Sequence, residues 1–278
     1  MSNSFLQQKW LPTAKGNICY FLSPGLENKP TVIFLLGLSS NHTTWNVATQ
    51  TLRKFGLSLI LPDLRGHGHS DKTKKRELYK FSVFTEDLKE IVEREKLSRI
   101  ILVGYSFGGY VALDYVTKYP DSVSALILIS TNHVNPLRYR KIEFLTWPVY
   151  GLFSFFAWLL LWQKKKEYYY FDQENAKGYW DSTIKGFTTM PISLNLWMLS
   201  EAAYLDFSQD IAKISCPTLI VKSKSDPFLS SAEARDMANK IKFSQLIALK
   251  EKSHFLAYRY QEKISETIIN FLREQRFL

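Results

Sequence analysis

The 278-residue chain has only two cysteines, Cys19 and Cys216, and neither stands in a C-x-x-C pair or in a metal-type spacing. That scarcity leaves room for one disulfide at most. The plainer expectation is two free thiols in a reducing, cytoplasmic compartment. The opening residues MSNSFLQQKWLPTAKG lack an apolar h-region and a small-residue cleavage site, so no secretory leader is read there. Nucleic-acid motifs are also missing. Lysine and arginine outnumber aspartate and glutamate by 36 to 26, a net charge of +10, but the basic residues are scattered. They read as a basic solvated surface, and no nucleic-acid partner is expected. Between Ser130 and Cys216 no segment resembles a core strand. No cofactor is expected.

What is present is a series of short apolar runs. FLQQKWL and NICYFL, separated by Pro12 and Gly16, predict an opening hairpin. Thr31 to Leu36 is a short continuous apolar run rich in β-branched residues and reads as a buried strand, and Leu57 to Leu61, Arg99 to Val103, Ala125 to Ile129, Thr218 to Val221 and Gln245 to Leu249 read as further strands. Helical periodicity lies between several of them, over Phe84 to Glu95, Ala232 to Ile241 and Ile264 to Leu272. Strands alternating with helices predict an α/β fold, a doubly wound, mostly parallel sheet whose ligand chemistry belongs at the carboxyl ends of the strands.

One junction carries the chemistry. In ILVGYSFGGYVALDY, starting at Ile100, a strand runs into a helical pattern through Gly104-Tyr105-Ser106-Phe107-Gly108-Gly109. A turn that tight strains its central residue, and glycines let other backbone pass close by. The hydroxyl of Ser106 would then stand exposed above the sheet edge, as a nucleophile should. The plain alternative is a chance G-x-S-x-G in a glycine-bearing turn. A serine needs a base, and His254, in LKEKSHFLAY after the final strand, falls on the same rim. The base needs a carboxylate on its other nitrogen, and Asp226, in VKSKSDPF, follows the strand Thr218 to Val221. Backbone N–H donors for a developing oxyanion are expected at Phe107, opening the helix after the turn, and at Leu38, in the loop LLGLSSNHTTW.

Together GYSFGG, PDLRGHGHSD, KSDPF and the final SHF resemble the α/β-hydrolase superfamily, in its serine-nucleophile, esterase- and lipase-like branch. The resemblance extends over nearly the whole chain outside residues 131–215. It implies a catalytic triad, whose roles fall on Ser106, Asp226 and His254 in the chain order of that superfamily. It also implies that His67 and His69 of RGHGHS belong to a structural loop rather than a metal site, and no metal is expected. His42 and His133 read as bland, with His42 close to the pocket; Trp45 and the tyrosines of EYYYF read as packing or pocket wall. One departure stands out: relatives usually end the first core strand with His-Gly, where this chain has Leu36-Gly37.

Residues 131–215 interrupt a core of 1–130 and 216–278. They contain IEFLTWPVYGLFSFFAWLLLWQKKKEYYYF from Ile142, read as a helical cap over the strand ends. Three roles compete for it. The first is a lid roofing an apolar pocket. The second is a helix that contacts a membrane surface through 142–171, where Trp158, Trp162 and Lys164-Lys165-Lys166 would suit the interface. The third is a membrane span, which Glu143, Pro148 and Gly151 interrupt. The expected function is a serine hydrolase acting on a carboxylic ester, lipid-like or thioester, through an acyl-enzyme. The alternatives are a catalytically weak binding protein of the same fold, suggested by Leu36-Gly37, and a membrane-surface, lipid-interacting protein.

Overall fold

Side chains alternate across a strand, so a strand buried on both faces feeds two apolar layers at once. In the computed structural model, which describes residues 5–135, 143–162 and 190–278, this happens in the inner strands of the sheet and not in the two at its edges. The strands are β1 (Gln7–Thr13), β2 (Gly16–Ser23), β3 (Thr31–Leu35), β4 (Ser58–Pro62), β5 (Ile100–Tyr105), β6 (Val123–Ile129), β7 (Thr218–Ser223) and β8 (Ser244–Leu249). They form an eight-stranded sheet in the order β1-β2-β4-β3-β5-β6-β7-β8. From β4 to β8 every pairing is parallel, while the β1–β2 and β2–β4 pairings are antiparallel.

Ile33, Leu35, Ile100 and Leu102 point into one apolar layer, and Val32, Phe34, Ile101 and Val103 point into the other. Helices α2 (Phe81–Arg94) and α3 (Phe107–Lys118) cover the first face, with Phe84, Leu88, Ile91, Val111 and Val116 as their buried stripes. Helix α1 (Asn46–Leu52) and the C-terminal helix cover the second. Between β6 and β7 the described residues hold two helices, α4 (Thr146–Leu159) and α5 (Ile192–Ala202), and no sheet strand. Helix α6 (Ser231–Lys240) links β7 to β8 and opens on a capping box of Ser230 and Glu233. A short α7 (Leu256–Arg259) and then α8 (Gln261–Glu274) close the chain.

Two expectations shift. Pro12 lies inside β1 rather than ending it, paired opposite Asn17. β1 is an edge strand, where the missing N–H of proline costs no ladder bond. Pro148 does not break the apolar stretch either. It sits in the first turn of α4, where helical N–H groups have no intrahelical acceptor to lose. Among the described residues no helix is long and apolar enough to cross a membrane. Lys164-Lys165-Lys166 and Tyr168-Tyr169-Tyr170 lie outside the described residues.

Candidate active site

β5 ends at Tyr105 and α3 begins at Phe107, so Ser106 alone makes the turn. It does so at φ 49 and ψ −112, a conformation that L side chains rarely adopt. The strain is held from both sides. The Ser106 N–H donates to the Ile129 carbonyl at 2.9 Å, and the Thr131 hydroxyl donates to the Ser106 carbonyl at 3.2 Å. The flanking glycines are steric requirements: a Cβ on Gly104 would lie 2.5 Å from the Gly109 Cα, and one on Gly108 would lie 2.5 Å from the Leu36 carbonyl oxygen. The second contact shows how closely the start of α3 lies against the end of β3.

Ser106 is half-buried, and its hydroxyl makes no helix-capping bond. Its Oγ lies 2.9 Å from His254 Nε2. On the far side of the ring, Nδ1 lies 2.9 Å and 3.0 Å from the two carboxylate oxygens of Asp226. A carboxylate only accepts, so Nδ1–H donates to Asp226, and Nε2 of the neutral ring offers its lone pair to the serine hydroxyl. Asp226 is itself fixed by the Phe228 N–H at 2.9 Å. The Phe228 ring meets the imidazole edge-on, 4.8 Å between centroids, and the Tyr105 hydroxyl donates to the His254 carbonyl at 3.3 Å. Ser106 and two residues more than a hundred positions further along the chain thus form one hydrogen-bonded line, with the Asp226 carboxylate shut away from water. Such a line can take a proton from Ser106 and stabilise the imidazolium that results.

Phe107 is the first residue of α3, so its N–H has no acceptor within the helix and sits at the positive end of the dipole. Leu38 is in the loop after β3 and packs on the same apolar layer as Phe107. Leu36, in place of the usual histidine, is fully buried in that layer, and a Cβ on Gly37 would strike the Tyr105 ring at 2.7 Å.

Two elements that hold this loop were not read from the sequence. Asp63, after β4, accepts from the backbone N–H groups of His42 and His69, each at 2.8 Å, and faces His42 Nδ1 at 3.2 Å. Burial alone would raise the Asp63 carboxyl, but the His42 ring and these donors hold it below the usual carboxylate range. Helix α5 supplies the other: Asn195 Oδ1 accepts from the Ser39 hydroxyl. The signal for Asp63 was its place at a strand's carboxyl end, the criterion that found Asp226. Asn195 carries no such signal.

The remaining histidines separate. His42 stacks on Phe21, 3.6 Å between centroids, and so belongs to the loop clamp rather than to an inert surface. His67 donates from Nδ1 to the Arg65 carbonyl at 3.1 Å, and burial depresses its pKa to about 4. His133 is buried against Asp236, 3.0 Å away. Trp45 is core, packed on Phe34 and Tyr105. Both cysteines are buried and unpaired, and burial pushes the thiols up, Cys19 to about 12 and Cys216 to about 11. Among the described residues no three His, Cys, Asp or Glu side chains converge as metal ligands.

Residues 27–257 match the family model of the serine aminopeptidases, S33. The chain belongs to this family. It therefore has the α/β-hydrolase fold. An uncharacterized protein of Mycobacterium tuberculosis is 34% identical to it over 106 residues, 38% of this chain and 30% of the relative. The chain thus spans under a third of the length of the mycobacterial relatives it matches. The AB hydrolase superfamily protein YisY of Bacillus subtilis is 25% identical over 252 residues, 86% of this chain and 90% of YisY. Among solved structures, an esterase from Exiguobacterium antarcticum superposes with a TM-score of 0.72 at 21% identity, over 96% of this chain and all of the esterase. At that identity the likeness speaks for the fold.

Proposed function

We propose that this chain is a hydrolase that cleaves a carboxylic ester, or thioester, with an apolar acyl part, using Ser106 as nucleophile, His254 as general base and acid, and Asp226 to hold the imidazole. The observation that carries this reading is the unbroken line from the strained Ser106 through His254 to Asp226, with 2.9 Å at each link. Ser106 Oγ attacks the acyl carbon as His254 takes its proton, and the N–H groups of Phe107 and Leu38 receive the oxyanion. The imidazolium returns the proton to the departing alcohol or thiol. Water, deprotonated by the same ring, then releases the acid from the acyl-enzyme.

Residues 131–215 act in this reading as a cap on a core of 1–130 and 216–278. The apolar acyl preference rests on α5, whose Leu194, Trp197 and Met198 share one apolar layer with Phe107 and Leu38 beside the serine. A panel of esters of rising acyl length, with aminoacyl amides alongside, tests the assignment. Turnover should rise with acyl length and vanish in Ser106→Ala. Preferential cleavage of the amides would move the substrate to peptides. No turnover on any member would favour a binding protein of the same fold.

A further inference from the structure

Helix α4 is built as though its outer side were meant to be covered. Of its residues only Thr146 and Ala157 are buried. Phe144, Trp147, Trp158 and Trp162 are exposed by 76%, 67%, 66% and 75%, and Phe155, next to Trp158 at 6.3 Å between ring centroids, is exposed as well. A Cβ on Gly151 would meet no atom within 4 Å, so that position is open as well. From Phe144 to Trp162 the chain carries no charged residue, and it continues within two residues into Lys164-Lys165-Lys166. An apolar surface of this kind marks an interaction site.

A basic loop adjoins the helix. The Arg76 guanidinium lies over the Tyr150 ring of α4, 5.0 Å from its centroid, and donates to the Tyr150 hydroxyl. Lys74, Lys75 and Lys80 are exposed in the same loop, against Glu77 as the exposed acid. Exposed tryptophan and phenylalanine beside lysine and arginine are the chemistry of a membrane interface. Each lysine or arginine near an anionic surface strengthens binding about fivefold. A second copy of the chain is a poorer occupant. Each copy carries a net charge of +10, and interface cores between proteins are depleted of lysine. The helix is also too short to enter the bilayer end-on, since its 14 residues reach about 21 Å against a hydrocarbon core of about 30 Å.

We propose that α4 and the loop 72–80 together form a docking surface for an anionic lipid bilayer, with the helix lying in the plane of the interface. The surface stands on its own chemistry, whether or not Ser106 is a nucleophile. The full chain would be sedimented with sucrose-loaded vesicles of phosphatidylcholine alone and of phosphatidylcholine mixed with phosphatidylglycerol, at low and high salt. The expected result is binding to the anionic vesicles at low salt, a blue shift in tryptophan emission, and weakening at high salt. Phe155→Ser with Trp158→Ser should weaken binding by about tenfold or more, and Lys74→Glu with Lys75→Glu should do so with the aromatic face intact. Circular dichroism checks that each variant is folded. The proposal is overturned if the wild type stays in the supernatant with anionic vesicles at low salt. It is equally overturned if folded forms of both variants bind like the wild type, or if a concentration-dependent dimer, lost in the aromatic variant, replaces vesicle binding.

Discussion

The rim around Ser106 and the helix α4 are opposite kinds of structure. At the rim, position is set by polar geometry: a strained turn, glycines that admit no Cβ, and a carboxylate–imidazole–hydroxyl line with 2.9 Å links. Among the described residues, helix α4 packs mainly against α5, turns Trp147, Phe155 and Trp158 outward, and meets the chain elsewhere at Arg76, through Tyr150, and at Tyr204, through Trp147 and Tyr150. The rim is specified by directional bonds whose loss is expensive because the partners are buried. The outer face of α4 is specified by almost nothing in the fold, so its sequence is free to answer to whatever lies outside.

The largest effect that would sharpen this contrast is at Asp226. Asp226→Asn keeps the shape but favours the wrong tautomer of His254, and ester turnover should fall by about 10⁴-fold with the folded state intact. A loss of less than tenfold in a steady-state assay would break the claim that the line acts as a unit. Next comes Gly104→Ala, whose Cβ would meet the Gly109 backbone at 2.5 Å. It should cost about 3 kcal/mol in urea unfolding, because no flexible side chain stands there to yield. A neutral result would show that the elbow is not sterically fixed.

The third effect is on pH. His67, buried beside Phe107, has its pKa depressed from 6.5 to about 4. The unfolded chain therefore binds a proton that the folded chain refuses. Stability at this site is complete above pH about 6.5 and falls as the pH drops toward about 4, by about 3 kcal/mol in all. His67→Asn keeps a donor for the Arg65 carbonyl, and thermal melts across that window should slope less steeply than those of the wild type. Equal slopes would contradict the assignment. The smallest effect belongs to α4: Phe155→Ser should change stability by no more than about 0.5 kcal/mol, since the ring is mostly exposed. A large loss in chemical denaturation would mean that the outer face is part of the core after all.

The same contrast explains what could be read in advance. The parallel strands were legible because burial on both faces writes itself as a continuous apolar run, as in Thr31 to Leu35 and Thr218 to Val221. Ser106, Asp226 and His254 were legible because each follows a strand at its carboxyl end, where the topology brings distant loops together. The clamp of His42 and His69 on Asp63 was not, since hydrogen bonds between loops leave no periodicity. Nor was the bond from Asn195 to the Ser39 hydroxyl, which depends on how α5 lies across the loop after β3. Helix α4 hid its start because Pro148 reads as a breaker until its place in the first turn is known.

The central claim is that Ser106 is an activated nucleophile, and labelling with a fluorophosphonate probe tests it most directly. The purified wild type should be labelled rapidly, with the adduct mapped to the peptide containing Ser106. Ser106→Ala should take up none, and His254→Ala should react slower by orders of magnitude. A wild type that stays unlabelled, or an adduct that persists in Ser106→Ala, would contradict the account.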